Sequence, residues 1–416
     1  MTIKVWEVSA SHTTIDLHLN IGFIMGKHKK KNIDFSKVMR KLESSDTFFG
    51  FSKSQLWYSS GNYALNHILS GNYKKAFVFG KLAQVAGQSG SGKSLLLATA
   101  AKQAMNELEA SVLWIDTESA SDNMPFFGRL GYTEDELSGK TGTFIFNESK
   151  RISDVQDLIT SFVNMYRDAL KGVDDPMDVS SHGIPPLIIV IDSLNNLMTD
   201  AAAEKAEKGT QNKDQGQQAK QNKEFIKAMS HLIKRLPVSI LVASHSMVSQ
   251  NVFAPDEIIT GGRGAEYLAT QQFIFSKFKL KGDKVEDKDL IPDEFSDEGR
   301  RVAGMKCRAV TYKSRFTKPN ETVDIQVIYP HGVDPYSGLF DYLMSNHQLK
   351  KITAVSYGPE NPIEGVPESF KKSNFKQYAD LIVEHLNSDE ADISRSMVNE
   401  ETANTEEIVE DQKVVA

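Results

Sequence analysis

Leu82-Ala83-Gln84-Val85-Ala86-Gly87-Gln88-Ser89-Gly90-Ser91-Gly92-Lys93-Ser94 is a short apolar run that passes directly into a G-x-x-x-x-G-K-[ST] loop. The pattern predicts a buried strand, a glycine-rich turn and the start of a helix. In such a turn Gly87, Gly90 and Gly92 let the backbone through Gln88, Ser89 and Ser91 aim successive N–H groups at one anion. Lys93 then reaches the outer oxygens of a polyphosphate, and the Ser94 hydroxyl is placed to ligate Mg²⁺. Leu95, Leu96, Ala100, Ala104 and Leu108 recur near helical spacing. A helix is therefore expected over 93–108, its positive end facing the same anion.

The 416 residues, 40% of them apolar, can bury a large core and suggest one big α/β domain with smaller appendages. One cysteine, Cys307, excludes an internal disulfide and is expected to be a buried structural thiol. No charged leader with a cleavage site and no run of about 18 apolar residues is found, which points to a soluble, cytoplasmic chain with no membrane partner. The net charge of −7 is unevenly spread: residues 384–411 hold ten acidic residues and one Arg, while 45 acidic and 47 basic residues remain elsewhere. The body is thus slightly basic, and the negative charge lies on a tail expected to be disordered.

Outward from the loop, strands are expected at 111–116, 143–146, 187–192, 238–244 and 271–275, with helical patterns between several of them. That alternation argues for a mainly parallel sheet covered by helices. Residues 308–313 and 323–329, separated by Thr317-Lys318-Pro319-Asn320, read as a hairpin at the sheet edge. Residues 199–217 and 247–263 read as long polar connections. Residues 1–32 end in a basic cluster from Lys27 to Lys31, and Met25 is an alternative start. Phe35, Val38, Met39 and Leu42 suggest a short amphipathic helix in need of a partner surface. The organisation expected is an N-terminal extension with an oligomerisation helix (1–47), an ATPase-type core (48–345), a small C-terminal region (346–387) and the acidic tail (388–416).

Two strand ends carry chemistry. The run Leu187 to Ile191 ends in Asp192, a carboxylate expected at the carboxyl edge of the sheet where it can hold Mg²⁺ beside the loop. A second run, Val112 to Ile115, is followed by Asp116, Thr117 and Glu118. Glu118 is the candidate to orient and polarise an attacking water; helix capping is the other use for Asp116 and Glu118.

The order of these motifs resembles the RecA-like strand-exchange recombinases, most closely the UvsX type of tailed phages. The resemblance spans about residues 48–345. It rests on Ala64-Leu65-Asn66 through Gly71, the phosphate loop, Asp116-Thr117-Glu118, Ile191 to Leu197, Ser244-His245-Ser246, Gly261-Gly262, Tyr312-Lys313-Ser314-Arg315 and Gly332 to Leu339. The last two stretches are the more specific.

The resemblance implies a RecA-like P-loop ATPase that uses ATP and Mg²⁺, forms a helical filament on single-stranded DNA and pairs it with homologous duplex. A mediator and a single-stranded-DNA-binding protein are the further partners it implies. Glu118 would be the catalytic glutamate and His245 the γ-phosphate sensor, while Lys313 and Arg315 would reach a neighbour's nucleotide. Phe126, or Phe127 beside it, would stack on adenine. The two polar connections would be DNA-binding loops, the first with Lys205, Lys208 and Lys213, the second with Val252, Phe253 and Arg263. Glu204, Glu207 and Asp214 leave the first loop little net positive charge, and Glu266 departs from the neutral or basic residue expected there. A hexameric RecA-fold helicase and a non-catalytic recombination mediator or paralogue are the alternatives.

Overall fold

The computed structural model describes residues 55–118, 124–209, 215–248, 257–260, 268–277, 284–285, 304–328 and 331–388. The chain begins with β1 (Trp57–Tyr58), α1 (Tyr63–Ser70) and β2 (Phe77–Val78). Asn62 caps α1 by accepting from the Leu65 N–H, and Gly71 ends it in the left-handed region. Next come β3 (Leu82–Gly87), α2 (Lys93–Leu108), β4 (Ser111–Asp116), α3 (Met124–Gly128), α4 (Glu134–Leu137) and β5 (Phe144–Asn147). They are followed by α5 (Ile152–Ala169), α6 (Val179–His182), β6 (Leu187–Asp192), α7 (Asp200–Glu207), α8 (Gln215–Leu232), β7 (Val238–Val248) and β8 (Glu257–Ile259). The rest are β9 (Gln271–Lys277), β10 (Lys284–Val285), β11 (Gly304–Ser314), β12 (Thr322–Ile328), β13 (Gly332–Val333), α9 (Leu339–Ser345), β14 (Leu349–Lys351), β15 (Ser356–Pro359) and β16 (Phe370–Lys371).

One mixed sheet organises the molecule, in the order β13-β12-β11-β9-β3-β7-β6-β4-β5, with β10 on β11 and β8 on β7. From β9 to β5 the pairs are parallel, whereas β9 to β13 and the β7–β8 pair are antiparallel. Alternation within each strand explains why both faces are covered. Val112, Trp114, Ile188, Val190, Leu241 and Ala243 bury one way, in the cluster shared with α1 and α2. Leu113, Ile115, Ile189, Ile191, Ile240 and Val242 bury the other way, with Val155, Ile159 and Val163 of α5 and Phe225, Ile226 and Met229 of α8. The mixed α/β fold, with a large, mostly parallel sheet between helices, is consistent with a RecA-like core.

The described residues belong to one compact unit. β14, β15 and β16 form a separate three-stranded sheet. Leu349, Phe370, Phe375, Ile382 and Val383 join the same apolar cluster as α1, so residues 346–388 are docked on the core.

Several local expectations change. Residues 199–217 are largely helical: Thr199 accepts from the Ala202 N–H to cap α7, and α8 already starts at Gln215. Capped Ala-rich sequence outweighs its polar appearance. The stretch after Ser244 is strand, because β7 runs to Val248 and pairs with β8 through Ser246 with Ile259 and Met247 with Ile258. His245 therefore lies inside a strand instead of at its end. β11 stops at Ser314 and carries a bulge between Thr311 and Lys313, so Arg315 lies past the strand and alternation does not put it on the face of Lys313. The helix expected near residues 34–42, the acidic tail, Lys213, Val252, Phe253, Gly261, Gly262, Arg263 and Glu266 lie outside the described residues.

Candidate functional site

β3 delivers the glycine-rich loop to the carboxyl edge of the sheet. Gly87 passes so close to β9 that a Cβ there would stand 2.2 Å from the Phe275 carbonyl oxygen, and Gly92 has a φ of 88°, which β-carbon-bearing residues avoid. No side chain caps α2. Its first-turn N–H groups consequently remain available to an anion. The Lys93 Nζ donates to the carbonyls of Gly87 and Gln88, both at 3.0 Å, which holds the ammonium over the loop. Ser91 Oγ is buried with no hydrogen-bond partner. A phosphate oxygen would satisfy such donors, so the loop fits a polyphosphate.

A cleft of about 390 Å³ opens over this loop. Residues Ser89 to Leu95 line it together with Glu118, Phe126, Arg129, Asp192, His245 and Met305. The structure thus gathers six separate sequence regions at one edge. Phe126 faces the cleft, while Phe127 is buried and rings with Trp114, Tyr132 and Phe144 at 5.0–5.3 Å. Of the two phenylalanines, only Phe126 lines the cleft.

β4 and β6 end side by side, Asp116 opposite Asp192. Burial, and then the charges of Glu118 and Asp116, push the Asp192 carboxyl up to about 6, against the stabilising hydrogen bond from Ser94. A carboxylate so crowded by other carboxylates favours a cation. Among the described residues no cluster of three or more His, Cys, Asp or Glu is arranged to hold a metal. Ser94 and Asp192 with phosphate oxygens and water fit Mg²⁺, which is usually bound by few protein ligands.

Glu118 stands beside this pair. Its Oε1 accepts from Ser193 Oγ at 2.7 Å and lies 3.2 Å from His245 Nε2. Thr117 Oγ1 donates to the Ser193 carbonyl and accepts from the Ser193 N–H, locking the two strand ends together. The carboxylate is thereby aimed into the cleft from a fixed base. His245 is fixed equally: its N–H donates to Asn195 Oδ1, and its carbonyl accepts from both the N–H and Oγ1 of Thr260. Asn195 Nδ2 closes the circle on Thr260 Oγ1 at 2.9 Å. These bonds tie the His245 backbone to Asn195 and Thr260.

Lys313 and Arg315 do not join the cleft. Lys313 pairs with Gln272 and Ser314 with Gln271, the first residue of β9, which itself pairs with Ala83 near the start of β3. They sit at the amino edge, a strand length of roughly 13 Å from the loop. Lys205 is exposed on α7, and Lys208 is exposed at its carboxyl end. Ser193, Asn195, Thr260, Arg129 and Met305 were assigned no role from sequence, where nothing in local spacing marks them. Cys307 is buried, and burial pushes its thiol up to about 12.

Among the described residues no helix is long and apolar enough to cross a membrane. No protein-family model matches the chain. Over 155 residues the chain is 26% identical to the "Recombination and repair protein" of Enterobacteria phage T4, a match that covers 37% of this chain and 35% of that protein. The chain is thus similar, over about a third of that relative's length, to a phage recombination and repair protein.

Proposed function

We propose that this chain is an ATP-dependent recombinase that assembles as a helical filament on single-stranded DNA and catalyses homologous pairing and strand exchange. The observation that carries the reading is the division of the site: loop, Glu118 and His245 share one edge of the sheet, and Lys313 and Arg315 occupy the other. A copy stacked head to tail brings the second set to the first. The similarity to a phage recombination and repair protein supports a role in recombination, repair and recombination-dependent replication.

In this reading the loop N–H groups and Lys93 hold the triphosphate of ATP, and Phe126 stacks on its base. Ser94 and Asp192 would hold Mg²⁺, which would supply charge neutralisation at the phosphate oxygens. Glu118, fixed by Ser193, orients the attacking water, and His245 donates from its ring to the terminal phosphate in competition with Glu118. Lys313 and Arg315 of the adjoining copy stabilise charge that develops during transfer. When the terminal phosphate leaves, the His245 ring returns to Glu118. DNA contact is assigned to the segments after β6 and β7. Lys205 and Lys208 are joined there by exposed Lys220, Lys223 and Lys227 on α8, and Met247, 56% exposed on β7, supplies an apolar contact for bases. For Lys213, Val252, Phe253 and Arg263, which lie outside the described residues, DNA contact is proposed from the resemblance alone.

Electron microscopy of the protein with single-stranded DNA and a slowly hydrolysed ATP analogue tests this. Helical filaments are expected. Rings would favour a helicase, and absence of any assembly would favour a non-catalytic binding module.

A further inference from the structure

The amino edge of the sheet carries more cations than the pair already assigned. Arg315 follows β11, and its N–H donates to the Thr270 carbonyl; the Thr270 N–H in turn donates to the Leu82 carbonyl. Lys81 immediately precedes β3, and the Gly80 N–H donates to the Val238 carbonyl at the start of β7. Lys234 and Arg235 form the turn that enters β7, with Arg235 at φ 63° and its N–H packed against Gly80. Arg315, Lys81 and Lys234 therefore stand side by side across neighbouring strands. All three are exposed, and among the described residues none of them forms an ion pair. Partial desolvation, and then the charges of Arg315, Lys234 and Arg235, hold the Lys81 ammonium below the ordinary lysine range. These cations repel one another in the isolated chain.

The opposite edge shows the complementary imbalance. The cleft is lined by the cations Lys93 and Arg129 and by the carboxylates Glu118 and Asp192, before any triphosphate is added. Two positive side chains, already balanced by two carboxylates, are few for an anion of that charge.

We propose that Lys81 and Lys234 extend Lys313 and Arg315 into one phosphate-facing row, which receives the nucleoside triphosphate held in the cleft of a second copy of this chain. The inference rests on the divided-site reading above and adds to it two residues and a continuous surface. The row raises the local potential where the neighbour's anion arrives, so it acts on assembly as well as on turnover.

The test is DNA-stimulated ATP turnover across protein concentration for the Lys81→Ala, Lys234→Ala double variant, alone and mixed with Glu118→Gln, with Arg315→Ala run in parallel. Thermal unfolding of each variant verifies that it is folded. The double variant is expected to need on the order of tenfold more protein for half-maximal turnover. Mixing with Glu118→Gln should restore part of its activity, because each partner supplies the face that the other lacks. Unaltered behaviour of the double variant beside a defective Arg315→Ala would overturn the row and leave the divided site standing. An undamaged Arg315→Ala would remove the divided site as well. A defect that mixing does not relieve would move Lys81 and Lys234 from the nucleotide to DNA and overturn the proposal.

Discussion

At the scale of single residues, the arrangement around Glu118 separates binding from chemistry. Its Oε1 is held by Ser193 and His245, whereas the triphosphate cradle is built from loop backbone and Lys93. Glu118→Gln keeps the shape and an acceptor for Ser193, so nucleotide-dependent DNA binding should persist while turnover falls about 10²- to 10⁴-fold; simultaneous loss of both would make Glu118 a structural residue. Asp192 gives a pH test. Its folded pKa, pushed up to about 6, exceeds the ordinary value of 3.8, so the folded chain holds this proton more tightly than the unfolded one. That contribution to stability is complete below about 3.8 and disappears as pH rises through about 6. In the proposed site a divalent cation would take the proton's place. Thermal shifts produced by magnesium and nucleotide should consequently be larger at pH 7.5 than at pH 5.5, and equal shifts would show that Asp192 is remote from the metal. Arg129 and Met305 illustrate what local spacing hides: they reach the cleft through a turn after α3 and through a strand more than 200 residues after the loop.

At the scale of elements, the parts legible in the sequence were those whose pattern is dictated by burial. Doubly covered β4, β6 and β7 read as continuous apolar runs, and the helix after the loop followed from its spacing and its fixed start. α7 was illegible because its side chains are short or charged and its order comes from the Thr199 cap and from Ala203, buried against the core. β8 was illegible because three residues, Glu257 to Ile259, carry no period of their own and pair only because β7 continues beyond the body of the sheet. The loop, Asp192 and Glu118 could be read as one site, whereas Ser193, Asn195 and Thr260 could not, since their roles arise only when β4, β6 and β8 meet. Removing the cap tests the account of α7. Thr199→Ala should destabilise that helix by about 1 kcal/mol, which hydrogen exchange would register as faster exchange of the Ala202 and Ala203 amides. Unchanged exchange would mean that packing, not the cap, orders the segment.

At the scale of the whole molecule, the proposed site, split between two edges, would make catalysis a property of the assembly. ATP turnover per chain, measured with single-stranded DNA, should rise steeply with protein concentration and level off once every chain has a neighbour. A flat dependence would establish that one chain suffices. The placement of the phosphate cleft and of Lys313 and Arg315 on opposite ends of one sheet has a geometric corollary. Contacts between unlike faces do not close on themselves unless the rotation permits it, so a stack of copies has a direction. One terminus of the proposed stack would display an idle cleft and the other an idle set of cations. Growth, shrinkage and susceptibility to a capping ligand would then differ between the two termini, and short polymers would waste a larger share of their proposed nucleotide sites than long ones.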